Sequence, residues 1–206
     1  MFTLKNLCKY LKTVRTHRKY VRKMCFKMGI PWQGLVHDLS KYSWQEISIC
    51  KYYEGTRSPH EKAREVLGYS PNWMNHYHKN KHHWNFWLDI ESFPNQVRAV
   101  KMPYKYVIES VCDMVGASKA YNVNSDQNWE PKMVWDYWER RCKGQRLMHK
   151  HSEYLLEKLL WNFYQMGEKE FLKWYKQNKD YIKEKYNNET LEASDIAQKV
   201  SEEGEE

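Results

Sequence analysis

His37 and Asp38 are adjacent and run on into Leu39-Ser40-Lys41. A neighbouring imidazole and carboxylate supply two of the donor types that hold a hard or borderline divalent metal. The chain has nine histidines. Those that bear on the pair are His17 upstream and the dense run of His76, His78, His82 and His83, with Asp113 following later beyond Glu109. Taken singly, a histidine is ordinarily a hydrogen-bonded core or surface residue, and His60, His149 and His151 read that way. The ordered set reads differently. Burying so many ionisable groups without partners is expensive, and a bound metal is the compensation that suits their types.

The elements that must position these residues are helical. Helical periodicity dominates and no convincing alternating strand stands out, which predicts an all-α fold. Leu4, Leu7, Leu11, Val14, Val21, Met24 and Met28 recur at three- and four-residue steps with His17 on their stripe, and Gly29-Ile30-Pro31 stops that helix. A short second helix carrying Leu35 to Leu39 puts the His37-Asp38 pair at a helix end. Ser43-Trp44-Gln45-Glu46 reads as a capping box opening a third helix. Ser58-Pro59-His60-Glu61 and Ser70-Pro71 read as cap-plus-proline starts, with Gly68 between them. Pro94 and Pro103 mark further starts, and residues 129–141, 148–166 and 168–186 complete the helices.

Helix geometry constrains the histidine-rich run. His78 and His82 are four apart and share a face, while His76, Asn80 and His83 form a second stripe roughly 130° away on an unbroken helix. Both sets reach one centre only if the helix breaks near Asn80-Lys81; otherwise they serve two metals. The break is the preferred solution. Around Asp113, the residues Met102, Tyr106, Glu109, Asp113 and Gly116 line one stripe beside an apolar one, so the two carboxylates point the same way at a partly buried position.

A length of 206 residues suits one domain, expected over 1–186, followed by an acidic tail at 187–206 that reads as disordered. Ten tryptophans and sixteen tyrosines supply much of the apolar area, which argues against disorder elsewhere. The formal charge of +8 and the basic stretch at 5–27 favour an anionic partner such as a nucleotide, a phosphorylated metabolite or a nucleic acid. Five widely spaced cysteines without a C-x-x-C suggest neither a disulfide framework nor a thiolate zinc site. No apolar run approaches the roughly 20 residues that span a bilayer. A cytoplasmic protein with no membrane partner is expected.

The order His17, His37-Asp38, a histidine-rich run and Asp113 on an all-α chain resembles the HD-domain superfamily of metal-dependent phosphohydrolases. His37-Asp38-Leu39-Ser40-Lys41 is similar to the HD-x-G-K form of its signature, with Ser40 in place of the glycine. More narrowly, the stretch from His76 through His83 to Trp84, with Glu109-Ser110-Val111-Cys112-Asp113, resembles an uncharacterised family of small bacterial and phage proteins, DUF5662, which lends no activity. The superfamily resemblance implies an HD-like helical bundle with a metal held by His17, His37, Asp38 and Asp113. It implies second-metal ligands in His78, His82 and His83, the HD aspartate bridging both ions. Donors that are only nitrogen and oxygen make one or two ions of Fe, Mn, Co, Ni or Mg more suitable than structural zinc.

The implied chemistry is hydrolysis of a phosphate ester, with Asp38 or Glu109 as base and Lys41 on a phosphate oxygen, or else simply solvated. Trp44, Trp84 and Trp87 are candidates to stack on a base, though aromatic rings are more often core. Two other classes remain: a di-iron oxygenase on the same fold, and a non-catalytic helical module binding nucleic acid through 5–27.

Overall fold

The computed structural model describes residues 2–52, 59–91, 96–123, 128–144, 146–192 and 195. These are mainly helical, in the order α1 (Leu4–Lys27), α2 (Pro31–Val36), α3 (Trp44–Ile47), α4 (Pro59–Leu67), α5 (Pro71–Lys79), α6 (Tyr104–Asn122), α7 (Lys132–Arg141) and α8 (Lys150–Asn187). The all-α expectation holds with one correction. Leu88–Glu91 (β1) and Gln96–Ala99 (β2) form a small antiparallel hairpin, Leu88 opposite Ala99 and Glu91 opposite Gln96. It escapes a periodicity reading because each strand is four residues long and Ile90 and Val97 face solvent, so no buried stripe marks it.

α6 is the central element. Val107, Ile108, Val111, Cys112 and Val115 are buried, and so are Glu109 and Ser110 on its polar side. Its apolar face joins the C-terminal half of α1, with Val21, Met24 and Cys25, to Trp135 and Trp138 of α7 and to Leu155, Leu159 and Phe163 of α8. A second cluster gathers Tyr10 and Val14 from the N-terminal half of α1 against Ile49, Cys50 and Ala63. His17 falls between the two clusters.

Two glycines let helices approach closely enough to bring the site residues together. A Cβ on Gly116 would lie 2.4 Å from Cγ2 of Val21 and 2.9 Å from its backbone nitrogen, so α6 and α1 nearly touch there. One on Gly34 would lie 2.8 Å from Cβ of Cys25, which seats α2 on α1. Gly116 thus serves helix packing.

Most helix boundaries agree with the local signals. Thr3 caps α1 by accepting from the Asn6 N–H, and Ser70 caps α5 by accepting from that of Trp73. Gly167 has φ 73° and ψ 165° inside α8, a backbone that a side chain would strain, and it divides the run where two helices were expected. α2 is shorter than expected and ends at Val36, leaving His37 as its C-cap and Asp38 beyond it. Ser58 and Pro94 lie outside the described residues, as do 193–194 and 196–206 of the expected tail. Among the described residues, no helix is long and apolar enough to cross a membrane.

Candidate metal centre

Asp38 is the residue on which the site converges. It has φ 53° and ψ 26°, a left-handed conformation that short polar side chains tolerate better than others, and it turns the chain from α2 into a 3-10 turn at Leu39–Tyr42. Arg18 steadies the approach to it, donating Nε to the His37 carbonyl at 2.7 Å and an Nη to that of Leu35 at 3.0 Å, two groups that the end of α2 leaves without helical partners. Asp38 and His37 are each 1 % exposed.

One carboxylate faces two groups of donors. Oδ2 of Asp38 is 3.4 Å from His17 Nε2 and 3.6 Å from His37 Nε2. Oδ1 of Asp113 closes this first group at 3.1 Å from His17 Nε2 and 3.3 Å from His37 Nε2. Oδ1 of Asp38 looks the other way, to His76 Nε2 at 3.4 Å and His82 Nε2 at 3.6 Å. His83 completes the second group, whose donor atoms all lie within 4.8 Å of one another, as do those of the first. Neighbouring donors on a cation bound at about 2.1 Å stand roughly 3.0 to 3.4 Å apart, so the spacing fits a coordination shell slightly relaxed. Asp38 Oδ1, His82 Nε2 and His83 Nε2 are buried and have no hydrogen-bond partner among the described residues. Such convergent, unpartnered donors are the environment a cation satisfies, and these clusters could hold a metal ion.

The outer nitrogens of three of the rings are oriented by carboxylates. Glu109 Oε1 accepts from His37 Nδ1 at 2.9 Å and from His82 Nδ1 at 3.2 Å, so one residue of α6 orients a histidine of each group. Glu46 Oε2 accepts from His76 Nδ1 at 2.8 Å. Fixing Nδ1 as a donor leaves Nε2 free to ligate, the arrangement typical of metal-bound histidine. Ser110, one residue after Glu109, donates to the His82 carbonyl and anchors the turn.

The titration of these groups follows from the geometry. Burial works against charge on Asp38, but His37, Lys41 and His76 outweigh it and hold its carboxyl well below the usual range. Asp113 is likewise held well below its ordinary value, burial opposing and hydrogen bonds from His17 and His37 prevailing. Glu109 is lowered by the same two effects, with His37 and His82 as its partners. Burial would depress His17 and His37, yet their carboxylate neighbours raise both. His76 and His83 go the other way. Burial lowers His76, helped by Lys41, and lowers His83 strongly, helped by His82 and His76. Neutral imidazole is the form that binds metal. Lys41 Nζ, 3.4 Å from both Asp38 Oδ2 and His76 Nε2, has its pKa raised because Asp38 and Glu46 overcome burial.

His17, His37, Asp38, His82, His83 and Asp113 are thus brought together, with Lys41 and Glu109 beside them. His78 is not. It is exposed near the end of α5, and the inward position belongs to His76, 1 % exposed, two residues earlier. The reason is the break at Asn80, whose ψ of 103° ends α5 after Lys79 and turns His82 and His83 back onto the His76 face. The break was expected, but it admits His76 and leaves out His78, which the resemblance had implied as a ligand beside His82 and His83.

Glu109, weighed as a base, has Oε1 committed to two imidazole N–H groups. The capping box expected at Ser43 does not form: Ser43 makes no side-chain cap bond, and Glu46 turns to His76 instead. Its four-residue spacing from Tyr42 and Cys50, towards the α1 cluster, was the only available signal of an inward face. Trp84 and Trp87 pack against the main core, while Trp44 is exposed. All five cysteines are free thiols, and no group of candidate ligands contains one.

Fold and site together define a helical protein with a buried histidine–carboxylate cluster that could hold a metal ion. The chain belongs to a family of unknown function, DUF5662, whose model matches residues 6–162 and so spans every residue of the centre. No curated protein and no solved structure matches it.

Proposed function

We propose that the protein is a metal-dependent phosphohydrolase of the HD type, acting in the cytoplasm on a nucleotide or another phosphate ester. The observation that carries this reading is Asp38, which presents one carboxylate oxygen to the His17–His37–Asp113 group and the other to His76–His82–His83. That is the donor arrangement of a centre for two cations sharing a carboxylate. The order His17, His37-Asp38, later histidines and Asp113 supports the HD superfamily as its relative. Ions of Fe, Mn, Co, Ni or Mg held there would acidify a water and neutralise phosphoryl oxygens.

The chain's own residues supply the rest. Asp113, with 20 % of its side chain exposed, is the most open of the site carboxylates and would hold the cation of the first group where a water can reach it. Lys41, with 17 % exposed, meets a phosphoryl oxygen as a point charge. Glu109 and Glu46 keep His37, His82 and His76 in the tautomer that ligates. Water's oxygen bonds to phosphorus, the ester oxygen leaves with the proton, and phosphate and alcohol result.

The test is elemental analysis of full-length protein purified without chelator, followed by hydrolysis assays on bis-p-nitrophenyl phosphate and on nucleotides with each metal restored. About one to two divalent ions per chain and metal-dependent turnover are expected. Absence of bound metal, or turnover unchanged by His37→Ala and Asp38→Ala, would sink the proposal. A second reading, di-iron oxygenation, draws on the three histidines of the second group. Oxygen consumption with iron and none with Mg or Mn selects it.

A further inference from the structure

On the outer side of α1 lies a shallow cavity of about 240 Å³ lined by Arg15, Arg18, Lys19, Arg22, Gly34 and Tyr42. Four cationic side chains share it and no carboxylate lines it. Their spacing puts them within one another's reach along the helix, where like charges three and four residues apart repel. Arg18 is tied down by the His37 and Leu35 carbonyls, by a 3.4 Å bond to the Tyr42 hydroxyl and by that ring's face. The side chains of Arg15, Lys19 and Arg22 make no hydrogen bond or ion pair with the described residues, so among these residues three positive charges border the cavity without compensation.

We propose that this cavity binds the phosphate chain of a small polyphosphate, such as the di- or triphosphate group of a nucleotide. Arginine forks are matched to phosphate oxygens, and several converging on one concave surface favour a compact anion of multiple charge. From Arg15 to Arg22 the helix advances about 10 Å, and the cavity closes within that span, which suits two or three linked phosphates better than a long polymer. The site is distinct from the metal centre and does not depend on the hydrolytic reading. Arg18 links the two through its bond to the His37 carbonyl.

The experiment is calorimetric titration of the full chain with inorganic tripolyphosphate, after dialysis against chelator so that no metal holds the anion. One binding site per chain is expected. Arg15→Gln with Arg22→Gln, both at exposed positions, is expected to weaken it about tenfold or more. Lys9→Gln with Lys23→Gln, exposed on the same helix outside the cavity, should leave it within about twofold. Circular dichroism checks that both variants remain folded. No binding of tripolyphosphate overturns the proposal, as does equal weakening by the two pairs. So does a short single-stranded oligonucleotide that binds more tightly and loses affinity equally with either pair, since α1 would then be a diffuse nucleic-acid surface.

Discussion

His17 and Asp113 reach Asp38 from the interiors of two long helices that nearly touch at Gly116, whereas His76, His82 and His83 reach it from a helix end and the turn beyond. The first group inherits its geometry from packing: shifting His17 relative to Asp113 means moving α1 past α6. The second inherits its geometry from individual hydrogen bonds. Asn80 donates to the His76 carbonyl at 2.7 Å and to Ser40 at 2.7 Å, and Ser110 holds the His82 carbonyl. A frame made of backbone packing is stiff, and one made of side-chain bonds yields when a single partner is removed. The two halves of one centre should therefore respond differently to mutation, with Asp38 common to both.

The largest effect is expected at that shared carboxylate. Asp38→Asn should abolish metal binding at both groups, while His17→Ala and His76→Ala should each leave roughly half of the metal, measured as ions per chain by mass spectrometry. His78→Ala should retain all of it. Should Asp38→Asn lose no more than His17→Ala, the two groups do not share Asp38 and the comparison fails.

A smaller effect tests the stiffness of the first frame. Gly116→Ala forces a Cβ into Val21 and should destabilise the fold by about 1–3 kcal/mol. That corresponds to about 2–4 °C in Tm for each kcal/mol in a chain of this size. Metal should be lost from the first group before the second. Equal loss from both would mean that the α1–α6 contact supports the whole centre.

The smallest effect concerns the outer clamp on the same helices. Glu168 of α8 bonds both Lys27 of α1, at 2.8 Å, and Lys119 of α6. Burial works against its charge, but the hydrogen bonds from Lys119 and Lys27 prevail and its pKa falls below the ordinary 4.5. A carboxyl depressed in the folded state contributes stability above its unfolded pKa and loses it as pH falls through the folded value. The Tm difference between wild type and Glu168→Gln should thus be present at neutral pH and shrink on acidification through that range. A difference that stays constant with pH would assign the clamp to packing instead of charge.

How far the centre was legible tracks the same division. His17 announced itself by falling on the apolar stripe of α1, and Glu109 and Asp113 by sharing a stripe on α6, because a regular helix converts spacing directly into facing. The break near Asn80-Lys81 was legible too, as the one way to bring the later histidines to a single place. Which histidine it would favour was not. That depended on where α5 stopped, and stopping after Lys79 admits His76 and excludes His78. Glu46 was hidden by a capping pattern that local sequence made plausible and that a tertiary partner, His76, outbid. The hairpin was hidden by its shortness and its wet faces.

Residue types and helical periodicity were enough to establish an all-α chain, a donor inventory of nitrogen and oxygen ligands, and His17, His37-Asp38 and Asp113 as its ordered members. Those are properties of composition and of regular helices, which repeat whatever they pack against. The convergence on Asp38 of two donor groups, the substitution of His76 for His78, the double use of Glu109 and the uncompensated cationic cavity on α1 required the folded chain. Each depends on distances between elements far apart in sequence, set by contacts such as Gly116 on Val21 and Gly34 on Cys25 that no local pattern encodes.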